Sequence, residues 1–314
     1  MKTVIKQLLK SMGYQISRIP PAPAPEPLTI HEPIAPEVET TPPDTPEPDP
    51  PETVAIAPEP ETIPEPAPEP VLPERKFRRS LYDAMEHLSA VSQKLGFVPQ
   101  TILDIGAADG TPELYTTFPE ANFFLVEPLQ EYEPSLQTIC TQIHADYAIA
   151  AVGDRNGSIV INITPDLYGS SVMQPAEPHL EFKQREIPLV TLDTLVEQRG
   201  LPGPFILKSD SQGSELRILS GAEKTIAQSE AIVLEVQFFQ FVKDGDLFFD
   251  IVAFLKEKGF VVYDIIGHNY RFLDNALAEV DLVFVKEHGV FRQSHFFGSP
   301  EQRAAQFVQP DQRY

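Results

Sequence analysis

From Lys76 onward, short apolar runs alternate with stretches of helical periodicity, and this alternation restricts the possible folds more than any other feature. The runs at 101–105 (TILDI), 122–128 (NFFLVEP), 144–152 (HADYAIAAV), 205–210 (FILKSD), 231–236 (AIVLEV), 260–266 (FVVYDII) and 281–286 (DLVFVK) read as strands. Helices are expected over 78–95, from 192 to about 198, and over 214–228. Strands separated by helices are joined by crossovers, which gives a mostly parallel sheet with helices on both faces. Two further runs, 157–165 and 185–192, read instead as an inserted or edge hairpin. In open sheets of this class, ligands sit at the carboxyl ends of the strands, near the switch in strand order. The positions to inspect are therefore 104–110, Glu127, 152–154, Asp210 and 235–237.

The prolines confine this pattern to the second part of the chain. Of 33 prolines, 20 fall between Pro20 and Pro73, a window with 12 acidic residues and no Lys or Arg. Dense prolines remove backbone donors and the glutamates repel one another, so 20–73 is expected to be an extended, disordered spacer. At ~3.1 Å per residue it could span on the order of 170 Å. Residues 1–19 carry Lys2, Lys6, Lys10 and Arg18, with Ile5, Leu8, Leu9 and Met12 on one helical face. They are expected to form a basic amphipathic helix that packs on its own domain or docks on an anionic membrane or a partner. The folded domain is expected over 74–290, with a tail at 291–314.

The net charge of −22 makes nucleic acid a poor partner, because the chain repels phosphate backbones. The single cysteine, Cys140, permits no internal disulfide. No run reaches the ~20 apolar residues of a spanning helix, and the N-terminus lacks a signal-peptide pattern. A cytoplasmic protein, peripheral at a membrane if residues 1–19 dock there, is the expectation.

The stretch TILDIGAADG carries the first chemistry. It contains no phosphate-cradling G-x-x-x-x-G-K-[ST] pattern, and the middle glycine of a dinucleotide G-x-G-x-x-G is replaced by Ala108. Asp104 at the strand end suits a cation better than a pyrophosphate, and Glu127 at the next strand end can accept two ribose hydroxyls. A carboxylate, a small-residue turn and a second carboxylate describe a pocket for S-adenosylmethionine. Its expected contacts are Asp104, Gly106, Ala107, Gly110, Glu127, Pro128 and Ala151.

LDIGAADG, FLVEPLQEY, AAVGDRNG, VTLDTL and LKSDSQGSELRILSGAE followed by AIVLEV resemble, in order, the motifs of FkbM-type methyltransferases. The resemblance runs over roughly 99–286. It implies a Rossmann-like class I methyltransferase fold (α/β, a mostly parallel seven-stranded sheet) and transfer of a methyl group to a hydroxyl of a saccharide, glycolipid or related metabolite. Ser209 departs from the family, which usually has an apolar residue there. The stretch 165–190 is less family-like and is where acceptor identity would be written.

A sugar hydroxyl needs a positioned base. Asp210, ending the fourth core strand, is the first candidate for base or orienting group; it could also cap the helix starting near Ser214. Lys208 shares its face and is expected to pair with Asp210 or hold the acceptor, while Glu235 completes the catalytic set. Ser171 (in Gly169-Ser170-Ser171), His179, Glu215 and Gln237 are candidate acceptor contacts. Asp210, Glu235 and Asp154 are the acids a divalent cation could use, but no spacing makes a ligand set and no metal is assigned. Two other readings stay open. One is a nucleic-acid or protein methyltransferase, disfavoured by acidity and by SDSQ where an Asn/Asp-Pro-Pro-aromatic motif would stand. The other is a catalytically silent adaptor tethered to a surface-polysaccharide synthesis complex.

Overall fold

The computed structural model describes residues 80–177 and 179–308. The expectations for 1–19 and 20–73 lie outside these residues. The chain enters at α1 (Leu81–Leu95), where the Ser80 side chain accepts the Asp83 N–H and Asp83 returns the bond to the Ser80 backbone. Such a reciprocal cap satisfies two donors that the helix itself leaves unpaired. Gly96 ends the helix at φ 66°.

Seven strands make the main sheet: β1 (Thr101–Ile105), β2 (Asn122–Glu127), β3 (Ala145–Ile149), β7 (Phe205–Ser209), β8 (Ser229–Gln237), β9 (Phe260–Tyr270) and β10 (Leu277–Lys286). Their spatial order is β3-β2-β1-β7-β8-β10-β9. All neighbours run parallel except β10, which is antiparallel to β8 and β9. The order reverses between β1 and β7, so that is the switch point.

Both faces of this sheet are covered, as continuous apolar runs require. Leu103 and Ile105 face a layer with Leu192 and Leu195 of α4 (Leu192–Arg199), Ile218 of α5 (Glu215–Ser220), Ile226 of α6 (Glu223–Gln228) and Leu255 of α7 (Phe248–Glu257). Ile102 faces the other layer, with Met85 and Leu88 of α1, Leu114 of α2 (Pro112–Thr117) and Leu136 of α3 (Glu133–Cys140). This alternation places Asp104 on the α1–α2 side.

Two expectations are corrected. The run 144–152 is two strands: the Ala150 N–H donates to Glu127 O, the chain leaves the main sheet, and β4 (Ala151–Val152) pairs elsewhere. Its partners are β6 (Lys183–Val190), parallel, and through it β5 (Gly157–Ile163), antiparallel to β6; the expected hairpin thus forms as an insertion, in a separate three-stranded sheet. The helical stretch 214–228 is broken at Gly221, where a Cβ would stand 2.0 Å from Gly153 O. β9 runs on through residues 267–270, past the strand expected at 260–266. The tail carries α8 (Pro300–Val308). Among the described residues, no helix is long and apolar enough to cross a membrane.

Candidate active site

The turn after β1 is pinned from both sides. The N–H groups of Gly106 and Ala107 donate to Val126 O at 2.9 and 3.2 Å, and the Asp210 N–H donates to Ile105 O at 3.0 Å. Gly106 has φ 70°, and a Cβ there would lie 1.9 Å from Asp210 O. Ala108 takes φ 45°, which turns its N–H onto Glu127 Oε2 at 2.9 Å; Leu129 N–H donates to Glu127 Oε1, also at 2.9 Å. Each of these oxygens keeps a further lone pair for a ligand. Burial raises the Glu127 carboxyl above its ordinary value, against the pull of those two N–H groups and Lys208.

A pocket opens here at the switch point. Of the expected residues, Gly106, Glu127, Pro128, Ala151, Ser171 and Asp210 line it. The second sheet and the loop after β5 close one side with Ile161, Leu167 and Tyr168. The Tyr168 hydroxyl donates to Asp109 Oδ2 at 3.2 Å, and its ring lies 6.0 Å from that of Tyr132.

Other expected residues lie elsewhere. Asp104 is wholly buried beneath the turn, accepting from the Tyr115 hydroxyl at 2.8 Å through Oδ2. Lys208 stands opposite it in register across β1 and β7, with Nζ 3.4 Å from Asp104 Oδ1 in an ion pair without hydrogen-bond geometry. Lys208 also donates to Gly106 O at 3.2 Å. The expected pairing of Lys208 with Asp210 is thus replaced by one with Asp104. Burial pulls the Lys208 ammonium down, yet Asp104 and then Asp210 outweigh it and hold it above its ordinary value. Ala107 is buried behind the turn, and its carbonyl accepts the Gly110 N–H at 2.7 Å. Gln237 is buried, with Oε1 unpartnered, outside the pocket lining. His179 is exposed, 3.2 Å from Glu177, and is not brought to the pocket; a loop position alone carries no information about where the loop lands.

Glu215 is buried and accepts from the Ser211 N–H (3.2 Å) and hydroxyl (2.8 Å) instead of facing an acceptor. Burial pushes its carboxyl up to about 7. The folded chain therefore holds this proton more tightly than the unfolded chain. Glu215 contributes fully below about pH 4.5, and its contribution is lost as pH rises through about 7. This group alone should lower stability by on the order of 3 kcal/mol across that window. Glu215→Gln keeps an oxygen for both Ser211 donors and should remove that share of the slope. Urea unfolding at about pH 5 and about pH 8 measures it.

Glu235 lies behind Asp210, outside the pocket lining. Burial, then Asp210 and Glu279, hold its carboxyl well above the usual carboxylate range. Asp281, opposite Glu235 on β10, is pushed up to about 7 by burial and then by Asp210. Gln212 joins this group: its Nε2 donates to Asp210 Oδ1 at 3.1 Å and Glu235 Oε2 at 2.8 Å. Sequence reasoning missed Ala108, Tyr132, Tyr168 and Gln212 as pocket residues. For Gln212 the signal was its place two residues after Asp210. Among the described residues, no group of three or more His, Cys, Asp or Glu could hold a metal ion.

A seven-stranded sheet in this order, with one antiparallel strand inside its edge and a pocket at the β1–β7 switch, defines the Rossmann-like class I methyltransferase fold. Residues 104–262 match the methyltransferase FkbM domain, half of the chain, and the chain belongs to that family of S-adenosylmethionine-dependent methyltransferases. Solved structures similar to it include precorrin-6y C5,15-methyltransferase from Geobacter metallireducens (13% identity, 64% of this chain and 87% of that one, TM-score 0.33). Magnesium protoporphyrin IX methyltransferase from Synechocystis, solved with its methyl donor, shares 11% identity over 65% of this chain and 77% of that one (TM-score 0.34). WbdD shares 11% over 66% and 39% (TM-score 0.37). At these scores the neighbours carry no argument about substrate. A comparison of the sequence with curated proteins finds no match.

Proposed function

We propose that this chain binds S-adenosylmethionine in the switch-point pocket and methylates a hydroxyl of a saccharide, a glycolipid or a related metabolite. The observation that carries this reading is one pocket lined by Glu127, the bare backbone of Gly106 and the carboxyl of Asp210. The donor set fits the cofactor. Glu127 offers two oxygens held by backbone N–H groups, suited to vicinal ribose hydroxyls. Gly106 lets a ligand approach where a side chain would block it. When bound, the cofactor supplies an electrophilic methyl group; this chain's residues need to align the acceptor, exclude water and take up a proton.

Asp210 is the residue proposed to accept that proton or to orient the hydroxyl. Its backbone is fixed by Ile105 O and its Oδ1 by Gln212, which leaves Oδ2 for a pocket ligand. Lys208 and Asp104 act from beneath: they set the position of the Gly106 turn. The acceptor class rests on family membership and on the chain's net charge, which opposes nucleic acid.

The test is transfer of labelled methyl from S-adenosylmethionine by the full-length chain into fractionated cell extract. Label should appear in the saccharide or glycolipid fraction. Asp210→Asn should reduce it by about 100-fold or more, the range of a lost general base, while binding of the uncharged product S-adenosylhomocysteine stays within about threefold. Label confined to protein or nucleic acid would refute the acceptor class.

A further inference from the structure

The pocket wall at Asp210 is held by a residue with an unusual backbone. Gln212 has φ 53°, a region that residues with a β-carbon rarely adopt. That conformation lets one side chain reach two strand ends. Its Nε2 spans Asp210 Oδ1, just past β7, and Glu235 Oε2 on β8. Its backbone carbonyl accepts the Ser171 hydroxyl at 2.9 Å, which ties the segment after β5 to the same turn. Gln212, Asp210 and Ser171 all line the pocket.

A carboxamide is a neutral donor. It can hold both carboxyl groups in place without cancelling the negative potential of Asp210, as a lysine or arginine in its position would. The nearby cation, Lys208, is already committed to Asp104 and Gly106 O. Glu235 and Asp281 crowd Asp210, and its negative charge is one reason that both hold their protons more tightly than usual. The negative potential at the pocket wall therefore comes from Asp210, whose place Gln212 fixes.

We propose that Gln212 is a positioning residue that holds the Asp210 carboxyl at the pocket wall, and that this held carboxyl makes the pocket prefer a cationic ligand over its neutral counterpart. This rests on the S-adenosylmethionine reading. S-adenosylmethionine carries a sulfonium and S-adenosylhomocysteine, the product, does not, so the preference would favour release of product after the charge is lost.

The two ligands serve as probes in calorimetric titrations of the full-length chain without an acceptor. Wild type should bind S-adenosylmethionine more tightly than S-adenosylhomocysteine. Gln212→Met, close in shape but without N–H groups, and Gln212→Gly should each reduce that ratio about tenfold, as expected for one lost charge-assisted hydrogen bond. Affinity for S-adenosylhomocysteine should stay within about threefold. Glycine adopts the left-handed turn at no steric cost, so in Gln212→Gly the relieved backbone strain offsets part of the cost of the lost side-chain bonds. This variant separates the side chain's role from the backbone's and decides the matter should the Met variant not fold. A wild-type ratio retained in Gln212→Gly, or a wild-type ratio near one, overturns the proposal. If wild type binds neither ligand, the cofactor reading beneath it falls instead.

Discussion

Gly106→Ala is expected to destabilise the domain by about 2–5 kcal/mol and to abolish cofactor binding. Two effects add at this residue. Its φ of 70° costs a side-chain-bearing residue about 1–2 kcal/mol. The new methyl would also stand 1.9 Å from Asp210 O, a backbone atom tied to β1 by the Asp210 N–H to Ile105 O bond. No rotamer change relieves that overlap; the ends of β1 and β7 must separate, adding about 1–3 kcal/mol. For a domain of this size the melting temperature should fall by about 10 °C. Gly200→Ala is the control: φ is 59° there but nothing lies within 4 Å of the added carbon. It should cost about 1 kcal/mol and leave binding intact. If thermal unfolding finds the two variants equivalent, the close approach of β1 and β7 at the pocket floor is wrong.

Lys208→Met should cost about 3–5 kcal/mol, because it strands the Asp104 carboxylate in a site with no exposure to water. Tyr115 remains as a donor to Oδ2, but a neutral hydroxyl does not replace the ammonium at Oδ1. Converting Asp104 to Asn in the same chain removes the stranded charge and keeps an oxygen for Tyr115. The double variant Asp104→Asn/Lys208→Met should therefore be more stable than Lys208→Met alone, with a coupling energy of about 1–3 kcal/mol. Urea unfolding of the two single variants and the double variant measures it. Strict additivity would mean that Lys208 is held by something other than Asp104.

Much of the architecture was legible because apolar runs and strand ends are local properties. TILDI, NFFLVE and FILKS are the central parallel strands, and the Asp104, Glu127 and Asp210 ends cluster at the switch point. α7 is absent from the sequence expectation although Phe248, Ile251 and Leu255 have helical spacing. What the sequence could not supply was pairing between distant segments. Asp104 reads as a ligand contact until the register of β1 with β7 sets Lys208 against it, about a third of the chain away. HADYAIAAV reads as one strand because nothing in those residues marks the step at Ala150 from one sheet to another. Glu215 reads as a candidate acceptor contact, yet the turn after Asp210 folds Ser211 onto it and buries it. Gln212 gave no sign of bridging two carboxyls, since Glu235 is brought to it only by β7–β8 pairing.

The central claim, that the pocket at the β1–β7 switch holds the methyl donor through Glu127, is tested most directly by calorimetric titration of the full-length chain with S-adenosylhomocysteine. Wild type should bind at one site. Glu127→Gln should bind at least about tenfold more weakly, because an amide presents an N–H where the Ala108 or Leu129 N–H already points, losing one charge-assisted bond and the acceptors meant for ribose. No heat of binding with wild type, or equal affinity in wild type and Glu127→Gln, would contradict the claim.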